Sequence, residues 1–135
     1  MKKIYIIITI FVVAACVAVC CLCNNGTKEK KIITSENITA YLLENGWETD
    51  PEMISSEEIT IPYEFNETYS RFNDIQKQQG FDLNRFRGEN ALLITCPVTN
   101  YDSENDITAE LIVKDTQLIA ASLICTGKNG FIKPL

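Results

Sequence analysis

Apolar and polar positions divide this chain into three stretches. Residues 4–23 carry no charge and only two hydroxyls, those of Tyr5 and Thr9. A helix rising about 1.5 Å per residue would take this run across a hydrocarbon core of about 30 Å. A polar, glycine-containing tether follows over residues 24–33, opening Asn24-Asn25-Gly26-Thr27-Lys28. Residues 34–135 then alternate between helical and strand-like periods and are long enough for a single core.

Within that last stretch, Ile38, Tyr41 and Leu42 recur at helical spacing after the capping candidates Thr34 and Ser35, and Gly46 marks a stop. Glu57 to Ile61 alternates like a strand and halts at Pro62. Phe65, Tyr69, Phe72 and Ile75 form the most regular helical stripe, with Asn66, Glu67, Asp74 and Gln78 in the other positions and Gly80 closing it. An aromatic stripe at this spacing reads as a core face rather than a ligand box. Three strand-like runs come last: residues 91–99, 107–114 and 117–125. The expected fold is α+β, with two helices packed on an antiparallel sheet of three to five strands.

The strand register makes finer predictions. A two-residue turn at Asp115-Thr116 sets Val113 opposite Leu118 and Leu111 opposite Ala120. Strict alternation then puts Ile107, Ala109, Leu111, Val113, Leu118, Ala120, Ser122 and Ile124 on one face. Cys125 points to the other face, Cys96 points to the core, and the two lie two strands apart. A disulfide needs Cβ atoms about 3.8 Å apart, so these thiols are expected to be unbonded. Ile119, Ala121 and Leu123, with Ile112, leave a second apolar face, read either as covered by the chain or as a partner patch. Pro97 cannot donate to a ladder, which places its strand at an edge or a bulge.

The apolar run at residues 4–23 has three readings. An uncleaved anchor, the favoured one, leaves the domain outside the cytoplasmic membrane. A lipoprotein signal fits Val13-Ala14-Ala15-Cys16, with Cys16 lipidated, although Val17 to Cys23 stays apolar where a polar tether is usual. A cleaved secretory signal expects a shorter apolar core. Lys28, Lys30 and Lys31 nearly balance Lys2 and Lys3, so the Lys/Arg bias is weak; the Met-Lys-Lys start favours an outward domain.

Charge narrows the partners. Removing Lys2 and Lys3 from the 12 basic residues leaves ten against 18 acidic ones, a net charge of −8 beyond the apolar run. Such a surface repels phosphate backbones, which disfavours nucleic acid. The chain has no His, and four of its six cysteines (Cys16, Cys20, Cys21 and Cys23) sit in the apolar run, so neither a metal nor any other cofactor is expected. Asp102 to Asp106 alternates oxygen ligands, but Ile107 and Val113 stand where a calcium loop needs Gly and Glu. Glu57 and Glu58 point to opposite faces of a strand and cannot flank one substrate. A nucleophile would lack a base at supporting spacing, so no catalytic residue is assigned. The strongest recognition candidates are Gln79, Arg85, Arg87, Asn100 and Tyr101, weighed against a loop pinned by its own hydrogen bonds.

An ordered series carries a resemblance. Leu43-x-x-Gly46-Trp47-Glu48, Ile61-Pro62, Phe65-Asn66, Tyr69, Gln76-Lys77-Gln78-Gln79-Gly80-Phe81-Asp82-Leu83, Arg87-Gly88, Val98-Thr99-Asn100-Tyr101 and Gly130-Phe131 follow one another. Over about residues 36–132 this resembles the bacterial domain-of-unknown-function family numbered 4830, found mainly in clostridial Firmicutes. The resemblance implies a membrane-spanning N-terminus followed by one domain in a bacterial host. It carries no established activity, ligand or catalytic residue. Such proteins tend to have Asp-Gly where this chain has Asp115-Thr116. Two function classes follow: a non-catalytic interaction or sensing module with a protein or envelope partner, and an envelope ligand-binding protein or enzyme using carboxylate, Tyr and Arg groups.

Overall fold

A computed structural model describes residues 37–102, 106–127 and 129–135. The apolar run at residues 4–23, Cys16, the tether and the capping candidates Thr34 and Ser35 lie outside the described residues. No helix among the described residues is long and apolar enough to cross a membrane. The chain forms α1 (Ile38–Glu44), β1 (Ser55–Thr60), α2 (Glu67–Gln78), β2 (Asn90–Pro97), β3 (Ile107–Lys114), β4 (Gln117–Cys125) and β5 (Phe131–Pro134). Short 3₁₀ turns at Pro51–Met53 and Leu83–Phe86 link them. The five strands are antiparallel in the order β1-β2-β3-β4-β5, so the expected α+β architecture stands with the upper strand number.

Both helices end the same way, for one physical reason. Gly46 and Gly80 sit at φ +87 and +86, conformations that cost an L side chain about 1–2 kcal/mol. In α1 the Gly46 and Trp47 amides bond back to Leu43 and Leu42; in α2 those of Gly80 and Phe81 bond back to Lys77 and Gln76. These paired bonds satisfy the last carbonyls and turn an aromatic residue, Trp47 or Phe81, toward the core.

The sheet separates two cores. On its first face, Ile38 and Leu42 of α1 bury against Ile94, Cys96, Leu111 and Leu123, with Trp47, Phe81, Tyr101 and Phe131 around them. On its second face, Tyr69 and Phe72 of α2, with Phe65 just before the helix, pack on Ile61, Leu83, Ala91, Ile112, Ile119 and Ala120. The aromatic stripe is therefore a core face, but the deepest residues of α2 are polar, Asn73 and Gln76. Each helix covers one face, so both sides of the central strands are covered by the chain itself.

The final hairpin turns as expected and then departs from strict alternation. Asp115 and Thr116 both have positive φ (47 and 66), which matches the right-handed twist of the flanking strands. Val113 opposes Leu118, but Ile112 opposes Ala120, so Ile119 is an extra residue in β4. Beyond it every side chain changes face. Leu111 opposes Ala121 instead of Ala120. Ala121, Leu123 and Cys125 join the first core while Ile119 and Ala120 join the second. Ile119, Ala121 and Leu123 thus do not share a face, and all three are buried. They form no partner patch.

The two described cysteines are free and buried. The bulge places Cys125 on the same face as Cys96, contrary to the alternation argument. Strand order is what separates them: Cys96 pairs with Ala109 and Cys125 with Ile107, leaving β3 between. Burial pushes the Cys96 thiol up to about 11, so it stays protonated and inert. Pro97 closes β2. Because the Val98 N–H donates to Ile107, position 97 faces the β1 side, where pairing starts only at Ser55 with Thr95. No ladder bond is lost there, although β2 is an inner strand.

Thr116 is β-branched at φ +66, where only glycine is unstrained. Thr116→Gly should therefore stabilise the protein by about 1 kcal/mol, part of the strain relief being offset by the freer unfolded chain. Urea unfolding with an unchanged denaturant slope and a raised midpoint is the expected result.

Candidate functional site

The last turn of α2 carries Gln76 and Gln79 at i, i+3, on one side of the helix. β5 pairs only with Ser122 to Cys125, so the peptide of Ala121 lies just past its end. Two carboxamides take the place of the missing strand. The Ala121 N–H donates to Gln76 Oε1 at 2.9 Å, and Gln79 Nε2 donates to the Ala121 carbonyl at 2.7 Å. Gln79 Oε1 accepts the Leu135 N–H at 3.1 Å, and Gln76 Nε2 donates to Ser122 Oγ at 3.3 Å. Gln79 is a peptide-group surrogate within the sheet.

The turn after α2 is closed in the same manner. Asn73, 2% exposed, accepts the Leu83 N–H at 2.8 Å and donates to Asp82 Oδ1 at 3.1 Å. Asp82 also caps the 3₁₀ turn through the Asn84 N–H. The Asn73 hydrogen bond, with those from Asn84, holds the Asp82 carboxyl below its ordinary range. Asn84 Oδ1 accepts both Nε and Nη2 of Arg87, at 3.2 and 2.7 Å, and the guanidinium rests 4.5 Å from the centre of the Phe65 ring. Arg87 is exposed but engaged; Arg85 is exposed on the neighbouring turn.

Asn100 and Tyr101 belong to the other side of the sheet. Asn100 Nδ2 donates to the Gly46 carbonyl and its Oδ1 accepts the Glu48 N–H, at 2.9 and 3.0 Å. Thr99 adds its N–H and hydroxyl to the Glu48 carbonyl. Together they fasten the end of α1 to the loop after β2. Tyr101 stacks on Trp47 with centroids 5.7 Å apart, and its hydroxyl takes a 3.0 Å bond from Lys133 Nζ. Lys133 lies 4.8 and 4.9 Å from the Tyr101 and Phe131 ring centres, an internal cation–π contact. The five recognition candidates are thus not brought together. Gln79 sits at the β4–β5 junction, Arg85 and Arg87 beside the second core, Asn100 and Tyr101 beside the first.

What the fold leaves open is elsewhere. A groove of about 640 Å³ crosses the first face, lined by Ile38, Ile54, Ser55, Ser56, Leu92 and Ile94 and ending at Asp115 and Thr116. Leu92 is 40% exposed there. On the second face Glu110 is half-buried, its carboxyl raised first by burial and then by Glu57. No three His, Cys, Asp or Glu side chains among the described residues meet to hold a metal. Sequence reading missed the groove because Ser55 and Ser56 precede the alternation that identified β1. The cue available was the polar run Ser55 to Glu58 between apolar Ile54 and Ile59. No family model, curated protein or solved structure matches the chain.

Gln76→Leu keeps the volume but strands the buried Ala121 N–H, which should destabilise the protein by about 1–3 kcal/mol. Arg85→Ala should stay within about 0.5 kcal/mol, both measured by chemical unfolding. The raised Glu110 carboxyl means that the native state keeps this proton to higher pH than the unfolded chain. Stability then falls as pH rises through the window just above the ordinary carboxylate range. Glu110→Gln should be more stable than the parent at pH 7 and lose that lead near pH 3.5, as measured by unfolding at both pH values.

Proposed function

We propose that this chain is a non-catalytic interaction or sensing module at the bacterial cell envelope. Residues 4–23 hold it at the cytoplasmic membrane and residues 34–135 face outward; lipidation at Cys16 is the alternative attachment. Kinship with family 4830 forms part of this proposal. The observation that carries it is where the reactive side chains are spent. Asp82, Asn84, Arg87, Asn100, Tyr101 and Lys133 each bond within the domain, and the open surface is a partly apolar groove beside a strand whose outer edge is unpaired among the described residues. Surfaces of that kind suit a polypeptide more than a small polar substrate.

The ligand-binding or enzymatic alternative needs carboxylate, Tyr and Arg groups to converge. Asp82 and Arg87 are linked through Asn84 beside the second core, while Tyr101 packs against the first. The sheet lies between them, which favours the interaction reading.

Mild crosslinking of the full-length protein in its native membrane, followed by affinity capture and mass spectrometry, tests the proposal. A reproducible, near-stoichiometric partner is the expected result. Recovery of the protein alone would remove the reading.

A further inference from the structure

β1 is the outermost strand, and among the described residues its outer edge faces no other strand. All six residues pair with β2 without interruption, from Ser55 opposite Thr95 to Thr60 opposite Asn90. The Ile61 N–H donates inward to Glu89. Alternation along the strand therefore points the N–H groups of Ser56, Glu58 and Thr60 outward. Proteins usually blunt such an edge with a bulge, a proline or a covering loop. β1 has no bulge, and Pro62 comes only after it ends.

The side chains flanking this edge differ on the two faces. Ser56 shares the first face with Leu92 and Ile94 and lines the 640 Å³ groove. It is small, so a side chain on an added neighbouring strand, about 4.8 Å away, can lean across it into the groove. Glu57 shares the second face with Glu110. The ion pairs among the described residues use Glu67, Asp74, Glu89 and Asp115, and none uses Glu57, Glu58 or Glu110. A cationic side chain beside Glu57 would relieve this pair of carboxylates.

We propose that β1 accepts an extended peptide as a sixth strand, one whose apolar residues alternate with Lys or Arg. The apolar residues enter the groove beside Ser56, and the cationic ones lie beside Glu57, whose charge also bears on Glu110. Backbone bonds to Ser56, Glu58 and Thr60 supply affinity, and the two faces read alternate side chains. A second copy of this chain fits worse. Symmetric pairing of the two β1 edges at greatest overlap sets Glu57 or Glu58 against its own counterpart, like charges directly opposite. This assignment rests on the interaction-module reading and gives that module its site and the chemistry of its partner.

The test uses full-length protein in detergent micelles with a fluorescent peptide of sequence Lys-Ile-Lys-Val-Lys-Ile-Lys, at about 0.15 M salt to screen distant charges. A second peptide has the same composition in blocks, four Lys followed by Ile-Val-Ile. Saturable binding of the alternating peptide is expected, at least tenfold tighter than the blocked one. Amide exchange at Ser56 and Glu58 should slow on binding. Glu57→Lys, on an exposed position that leaves folding intact, should weaken binding at least tenfold. Equal binding of both peptides, binding untouched by Glu57→Lys, or unchanged exchange at Ser56 and Glu58 would overturn the assignment. Failure here with a partner still captured from membranes would remove the edge as the site and leave the module; failure of capture would remove both.

Discussion

Where β5 ends, the peptide of Ala121 has β3 on one side and, among the described residues, no strand on the other. Two glutamine side chains stand in for that strand, and the rest of the domain follows from how they must be placed. A carboxamide has the same donor and acceptor as a peptide group, so Gln76 and Gln79 can satisfy the Ala121 N–H, the Ala121 carbonyl and the Leu135 N–H. Each of these backbone groups, buried and unpaired, would cost about 1–3 kcal/mol. Holding both glutamines against β4 fixes the rotation of α2. That rotation lays Tyr69 and Phe72 on the second core. It also aims the Gly80 turn so that Phe81 reaches the first core. One helix end thereby ties both sides of the sheet together.

Much of the fold was legible because the chain states it with residues of fixed meaning. Gly46 and Gly80 end their helices through positive φ, and Asp115-Thr116 turns the hairpin although only one of the two is a common turn residue. The bulge at Ile119 was not legible. Ile119, Ala120 and Ala121 are all apolar, so a strand buried on both faces carries no alternation from which a one-residue slip could be read. Every error about the second half of β4 descends from that residue: the Leu111 partner, the face of Cys125, and the patch at Ile119, Ala121 and Leu123.

The site residues were legible as polar positions but not as roles. Asn100 and Gln79 look alike in sequence whether their amides face water or a backbone, and here both face backbone. Arg87 offered a charge for a ligand and instead braces Asn84 and Phe65. Carboxamides that bond to backbone recur in this small domain, at Asn73, Gln76, Gln79 and Asn100. Side chains that could otherwise make a binding site are spent on closing the fold.

The most direct test of this account is amide hydrogen exchange at Ala121, resolved by NMR or by mass spectrometry at single-residue level. If the Gln76 carboxamide acts as a strand surrogate, the Ala121 amide should exchange only through global unfolding, as slowly as the amides of Leu111 in the centre of the sheet. Exchange as fast as that of the outward-facing Ser56 amide would mean that the glutamines do not complete the sheet, and the account would fail at its root.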